Sequence, residues 1–151
     1  MTTNTRQGVE QGRASKAYEF AQAGKNLGGG ETLKDGKVED SRDAKDYKSY
    51  ARKIPMMIKT NGLGATLAFV KSKKKSKKAY ETLYNQLTDW LKGQPHLMPT
   101  FRVGSETEEL AQHVVNLDSF SYRAATVETL ALFGWIRRFA EGLITGESDG
   151  E

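Results

Sequence analysis

Cysteine is absent from the 151 residues. That excludes disulfides, thiolate nucleophiles and cysteine-ligated zinc, and it fits a reducing, cytoplasmic setting. Histidine occurs only at His96 and His113, and neither has a partner at ligand or general-base spacing. A metal centre or a Ser–His pair needs convergent groups, so both histidines read as surface residues, and no metal or cofactor is expected. No apolar run approaches the ~18 residues of a membrane span, so no membrane partner is expected. The segment from Met1 to Gly12 is polar and lacks the apolar core of a secretory leader. Hydrophobic residues make up 37% of the chain and charged ones 28%. One modest core is therefore attainable only if the apolar residues are well patterned.

The net charge of +4 conceals an uneven distribution. Residues 1–40 carry six positive and six negative side chains, residues 41–100 thirteen and four, and residues 101–151 four and nine. A basic block suits phosphate binding. An acidic block docks a basic neighbour or keeps the protein soluble.

The patterning is helical throughout. A first helix is expected from Thr5 to Ala23, with Gly24 as its stop. Residues 24–40 hold five glycines in seventeen positions and read as a flexible connector. No Gly-Lys-Ser/Thr follows a strand there, so a phosphate-binding loop is rejected. Ala44, Tyr47, Ala51, Ile54 and Ile58 step by 3, 4, 3 and 4, a clear apolar stripe on a helix that begins near Ser41. Pro55 predicts a kink or a fresh start within it. Asn61-Gly62 marks a bend, with Asn61 as N-cap of a third helix through Leu63, Leu67 and Val70.

A further stripe runs Ala79, Leu83, Leu87, Trp90, Leu91 and ends at Gly93 and Pro95. Ser105 to Glu108 reads as a capping box for a short helix with Leu110, Ala111 and Val114. Asp118 caps the last helix, whose stripe runs from Tyr122 to Leu143, and an acidic tail covers 145–151. No segment alternates with period two for long, so strands are not expected. The fold class is all-α: one domain over 1–151, a bundle of about six helices, some kinked or broken.

No catalytic constellation emerges. The acidic pairs Glu108-Glu109 and Asp40/Asp43 fall at expected helix N-termini, where carboxylates complement the macrodipole. The informative residues are basic. Lys45, Lys48, Arg52 and Lys59 recur at spacings 3, 4 and 7 beside the apolar stripe, with Lys53 among them, and six of the eight residues from 71 to 78 are lysine, including Lys71, Lys73 and Lys74. Lysine offers a mobile point charge to phosphate but no bidentate fork for guanine. The expected nucleic-acid contacts are therefore to backbone, through these eight residues. Tyr50 and Tyr84 could stack bases, although core packing is the simpler reading. Trp135 lies off the main stripe, beside Arg137 and Arg138. All three are candidates for a subunit contact, where such residues serve as anchors.

The run from Tyr47 to Lys73 also resembles a known family. An aromatic and basic helix, the Ile54-Pro55 step, the turn Asn61-Gly62-Leu63-Gly64, Ala68-Phe69 and Lys73 are similar to the small subunit of the type III-B CRISPR (Cmr) RNA-guided effector complex. Tyr84 to Leu91, Tyr122 to Leu143 and Arg13-Ala14 agree, whereas the Gly-rich connector and the lysine density of 73–78 depart from the pattern. The resemblance implies a helical, non-catalytic subunit. It further implies that neighbouring copies stack beside the backbone and large subunits and line the channel where guide RNA pairs with target RNA. In that arrangement protein holds shape and backbone while base pairing reads sequence. The alternative is a free-standing basic helical DNA-binding protein with a helix-turn-helix over Thr60–Lys73. The start of that recognition helix, Gly62 to Thr66, is too apolar to read bases.

Overall fold

Helical periodicity produces helices where it is strongest. In the computed structural model, which describes residues 5–32, 36, 38–94, 97 and 109–148, the elements are α1 (Thr5–Lys25), β1 (Gly30–Thr32), β2 (Val38–Asp40), α2 (Arg42–Asn61), α3 (Leu63–Lys73), α4 (Lys78–Lys92), α5 (Leu110–Val115) and α6 (Ser119–Leu143). The six helices form one bundle. The long α6 packs on α1 and α2, α2 also on α3 and α4, and α3 on α4 and α5.

α2 carries the centre of the core. Its predicted stripe, Ala44, Tyr47, Ala51, Ile54 and Ile58, is buried throughout. Ser41 caps the helix by accepting from the Ala44 N–H at 3.1 Å. The helix runs unbroken through Pro55. Of the two outcomes that proline allows, the chain keeps a single helix, because Ile54 and Ile58 are both needed on its buried face. Tyr47 is wholly buried and ties three helices together. Its hydroxyl lies 2.6 Å from Gln86 Oε1, and Gln86 Nε2 donates to the Phe20 carbonyl at 3.0 Å. α1 approaches so closely that a Cβ on Gly24 would come within 2.4 Å of the Tyr47 ring. α1 therefore does not stop at Gly24 but continues past it to Lys25.

The turn between α2 and α3 explains the Asn-Gly-Leu-Gly sequence. Asn61 ends α2, and Gly62, not Asn61, stands at the cap with φ +91°, a left-handed value that glycine tolerates. The Gly64 N–H donates to the Tyr122 hydroxyl at 2.8 Å, which fixes the corner to α6. A Cβ on Gly64 would press Val115 at 3.1 Å.

Two expectations change, and one falls outside the described residues. Residues 30–32 and 38–40 pair as an antiparallel hairpin in register Gly30↔Asp40, although no strand was expected. Three-residue strands are too short to show an alternation in sequence. α5 starts at Leu110 with Glu109 at its cap position, and the capping box expected at Ser105 lies outside the described residues, as do Pro95 and His96. Trp90 is only partly buried, and its indole N–H is sequestered with no partner among the described residues. Trp90→Ala is therefore expected to cost less than about 3 kcal/mol, below the range for a fully buried aromatic. A loss in denaturant titration as large as that of Phe133→Ala would place Trp90 in the core after all.

Candidate nucleic-acid interface

The basic residues divide into two groups. The first, Lys45, Lys48 and Arg52 of α2, is neutralised by the protein's own acids. Lys45 pairs with Glu39 at 2.7 Å. Lys48 departs furthest from the expected exposed track. Its side chain is 6% exposed, and its ammonium donates to the carbonyls of Ile144 and Gly146 and pairs with Glu147 at 3.1 Å. Arg52 pairs with Glu141 at 3.2 Å and with Glu147 at 3.3 Å. Ser148 bonds Asp46, and the Thr145 N–H donates to Asp40, whose carboxylate also holds Lys25 at 3.0 Å. The segment from Ile144 to Ser148 is thus strapped along α2 over part of the predicted track. The Lys48 ammonium, then Arg52, hold the Glu147 carboxyl below its ordinary range.

The second group is solvated: Lys53 and Lys59 on α2, and Lys71 to Lys75 at the end of α3 and in the turn after it. Lys53, Lys59, Lys73 and Lys75 are exposed and form no ion pair among the described residues. Lys71 reaches Glu109 only at 3.9 Å, Lys73 lies over the Phe69 ring at 5.7 Å, and Lys74 lies over Tyr84 at 4.4 Å. Lys71 and Lys73 occupy the last turn of α3, where cations complement the helix dipole. The lysines border two concave surfaces. One, of about 630 Å³, lies between α3 and α5, floored by Gly64, Ala68 and Ala111 and edged by Lys71 and Lys75. The other, of about 200 Å³, lies where α2, α3 and α4 meet.

Tyr50 and Tyr84 are 1% and 3% exposed and so belong to the core; Tyr50 stacks on Tyr80 with centroids 3.8 Å apart. The helix-turn-helix reading fails on burial. Leu63, Gly64 and Thr66 are buried, and Thr66 Oγ1 is turned back onto the Gly62 carbonyl, so the start of α3 exposes Ala65 but no polar side chain to read bases.

On α6, Trp135 is half-buried against Phe139, with Arg138 over its ring at 5.8 Å. Arg137 is exposed and pairs with Glu141 at 3.6 Å. Sequence reasoning missed a second apolar face on the same helix. Phe120 (77% exposed) and Val127 (68%) meet Val9 of α1 around a groove of about 570 Å³, beside Arg123. The signal was present: Phe120, Ala124, Val127, Ala131 and Trp135 step by 4, 3, 4 and 4, a stripe apart from the core one. Among the described residues, no group of acidic or histidine side chains could hold a metal ion, and no helix is long and apolar enough to cross a membrane.

Comparison with known proteins adds relatives. The family model for CRISPR-associated Cmr5 proteins matches residues 9–143. A CRISPR system Cmr subunit Cmr5 from Thermus thermophilus is 32% identical over 132 residues, covering 87% of this chain and 91% of that protein. The crystal structure of a CRISPR-associated Cmr5 family protein from Thermus thermophilus superposes with a TM-score of 0.63 at 28% identity, over 90% of this chain and 97% of that one.

Proposed function

Because the chain belongs to the Cmr5 family of CRISPR-associated proteins, and is on that ground a small subunit of the type III-B Cmr complex, we propose that it lines the channel in which guide RNA pairs with target RNA and holds the RNA backbone through the lysines around the α3–α4 turn. The observation that carries this reading is the contrast between the two basic groups. Lys45, Lys48 and Arg52 are matched by internal carboxylates, whereas Lys53, Lys59, Lys73 and Lys75 form no ion pair among the described residues. Solvated lysines without internal partners release counterions when they meet phosphate. The role is non-catalytic and cytoplasmic. Subunit contacts, with backbone and large subunits and with neighbouring copies, run through α6: Trp135, Arg137 and Arg138, and the apolar face of Phe120 and Val127.

The test is target RNA binding by the reconstituted complex across a salt series. Lys59→Glu, Lys71→Glu and Lys75→Glu together should leave assembly intact and weaken binding alike for unrelated sequences. The log–log salt slope should fall by about 0.7–0.9 for each phosphate no longer engaged. Wild-type affinity and slope in the triple variant would reduce these lysines to a solvated face.

A further inference from the structure

The smaller concave surface is lined by Tyr50 and Lys53 of α2, Phe69 and Lys73 of α3, Ser76 and Lys77 of the turn, and Tyr80 of α4. We propose that this cleft is a discrete phosphate-binding site that seats one phosphodiester of an RNA strand, a site more specific than the surface contact above and resting on that reading of an RNA-facing subunit. Three lysines, Lys53 of α2, Lys73 of α3 and Lys77 of the turn, line about 200 Å³. Among the described residues Lys53 and Lys73 have no ion pair, and Lys77 pairs with Asp46 at 4.0 Å, which already accepts from Ser148 at 3.0 Å. Three positive side chains lining one small cleft, with Asp46 as their one ion-pair partner among the described residues, repel one another, and an anion relieves that repulsion.

The walls are suited to holding one. Tyr50 and Tyr80 are stacked and almost fully buried, and Phe69 stands edge-on to Tyr80 at 5.7 Å. Aromatic walls lower the local dielectric, so an ammonium–phosphate attraction is stronger here than on open surface. Burial, then the Asp46 charge, pushes the Tyr80 phenol up to about 12, so it adds no negative charge to the cleft. At ~30 Å³ per water, the space holds roughly half a dozen waters. That suits one phosphate with part of its ribose.

The experiment uses the full, isotopically labelled chain. Inorganic phosphate and a short oligouridylate are titrated separately while backbone amide shifts and oligonucleotide affinity are followed. Both ligands should shift the Ser76 and Lys77 amides, and phosphate should compete with the oligonucleotide. Lys53→Gln and Lys73→Gln, both exposed, should each weaken oligouridylate binding about tenfold, the loss of one charge-assisted hydrogen bond, with unchanged melting. Lys16→Gln, on α1, should match wild type. If Lys59→Gln with Lys75→Gln weakens RNA binding while the Lys53 and Lys73 variants do not, the cleft is wrong and the wider lysine face stands. If neither set has an effect, both readings fall. Amide shifts with inorganic phosphate alone, without competition, would make the cleft a free-phosphate site and overturn the proposal.

Discussion

Phe133→Ala is expected to cost about 3–5 kcal/mol of unfolding free energy, the range for truncating a fully buried aromatic. Phe133 is 1% exposed at the middle of α6, where that helix meets Ile54 and Ile58 of α2, Leu67 of α3, and Leu83 and Leu87 of α4. One substitution therefore loosens the packing of four helices. A void of about 10 Å³ already lies among these side chains, and it has no exposed polar lining. The cavity left by the ring would join it and stay dry, because water needs polar partners. Phe133→Leu keeps most of the volume and should recover most of the loss. Urea titration decides the matter: a loss below about 1 kcal/mol for the alanine variant would mean that the ring is not part of the core.

How much of this was legible in sequence follows from the range of each signal. The apolar stripe of α2 and the cap at Asp118, where the carboxylate accepts from the Ser121 N–H at 2.7 Å, are local patterns, and both stand. The bundle and its six helices follow from such patterns. The C-terminal strap was not legible. Lys48 and Glu147 are 99 residues apart, and an acidic tail looks the same whether it floats or lies along α2. For that reason a stripe at helical spacing read as a track for polyanions, although its Lys48 is buried under its own C-terminal segment.

Trp90 was misjudged for a related reason. Periodicity places a residue on a face but does not say how far that face is covered, and Trp90 sits where the cover ends. The lysines at 53, 59, 73 and 75 are visible in sequence as charges, but that none forms an ion pair among the described residues is a property of the fold alone. The cleft was invisible for the same reason. Lys73 and Lys77 are neighbours in one turn, but Lys53 is brought to them only by the packing of α2 on α3 and α4.

Arg13 and Glu128 mark another link that no local pattern shows, and they carry the second large expected effect. Arg13 Nε donates to Glu128 Oε2 at 2.9 Å and its Nη2 to Oε1 at 3.2 Å, a two-point contact between α1 and α6. The side chains are 16% and 7% exposed. Bidentate geometry is the strong form of this pair, and both charges are partly withdrawn from water. Glu128→Ala should therefore cost about 1.5–3 kcal/mol, because it leaves a partly buried guanidinium without its charged hydrogen-bond partner. The double variant Arg13→Met with Glu128→Leu should be far less damaging than either single truncation, since it removes both charges and fills the space with apolar atoms. Added salt should change the loss little, as ions screen a buried pair poorly. Equilibrium urea unfolding of Arg13→Met, Glu128→Leu and their double, at low and high ionic strength, closes the cycle, with Glu128→Ala beside them. Single variants within about 1 kcal/mol of wild type, or a double variant as unstable as the sum of its parts, would mean that α1 is held to α6 by its apolar face, Ala17, Phe20 and Ala21, without help from the ion pair.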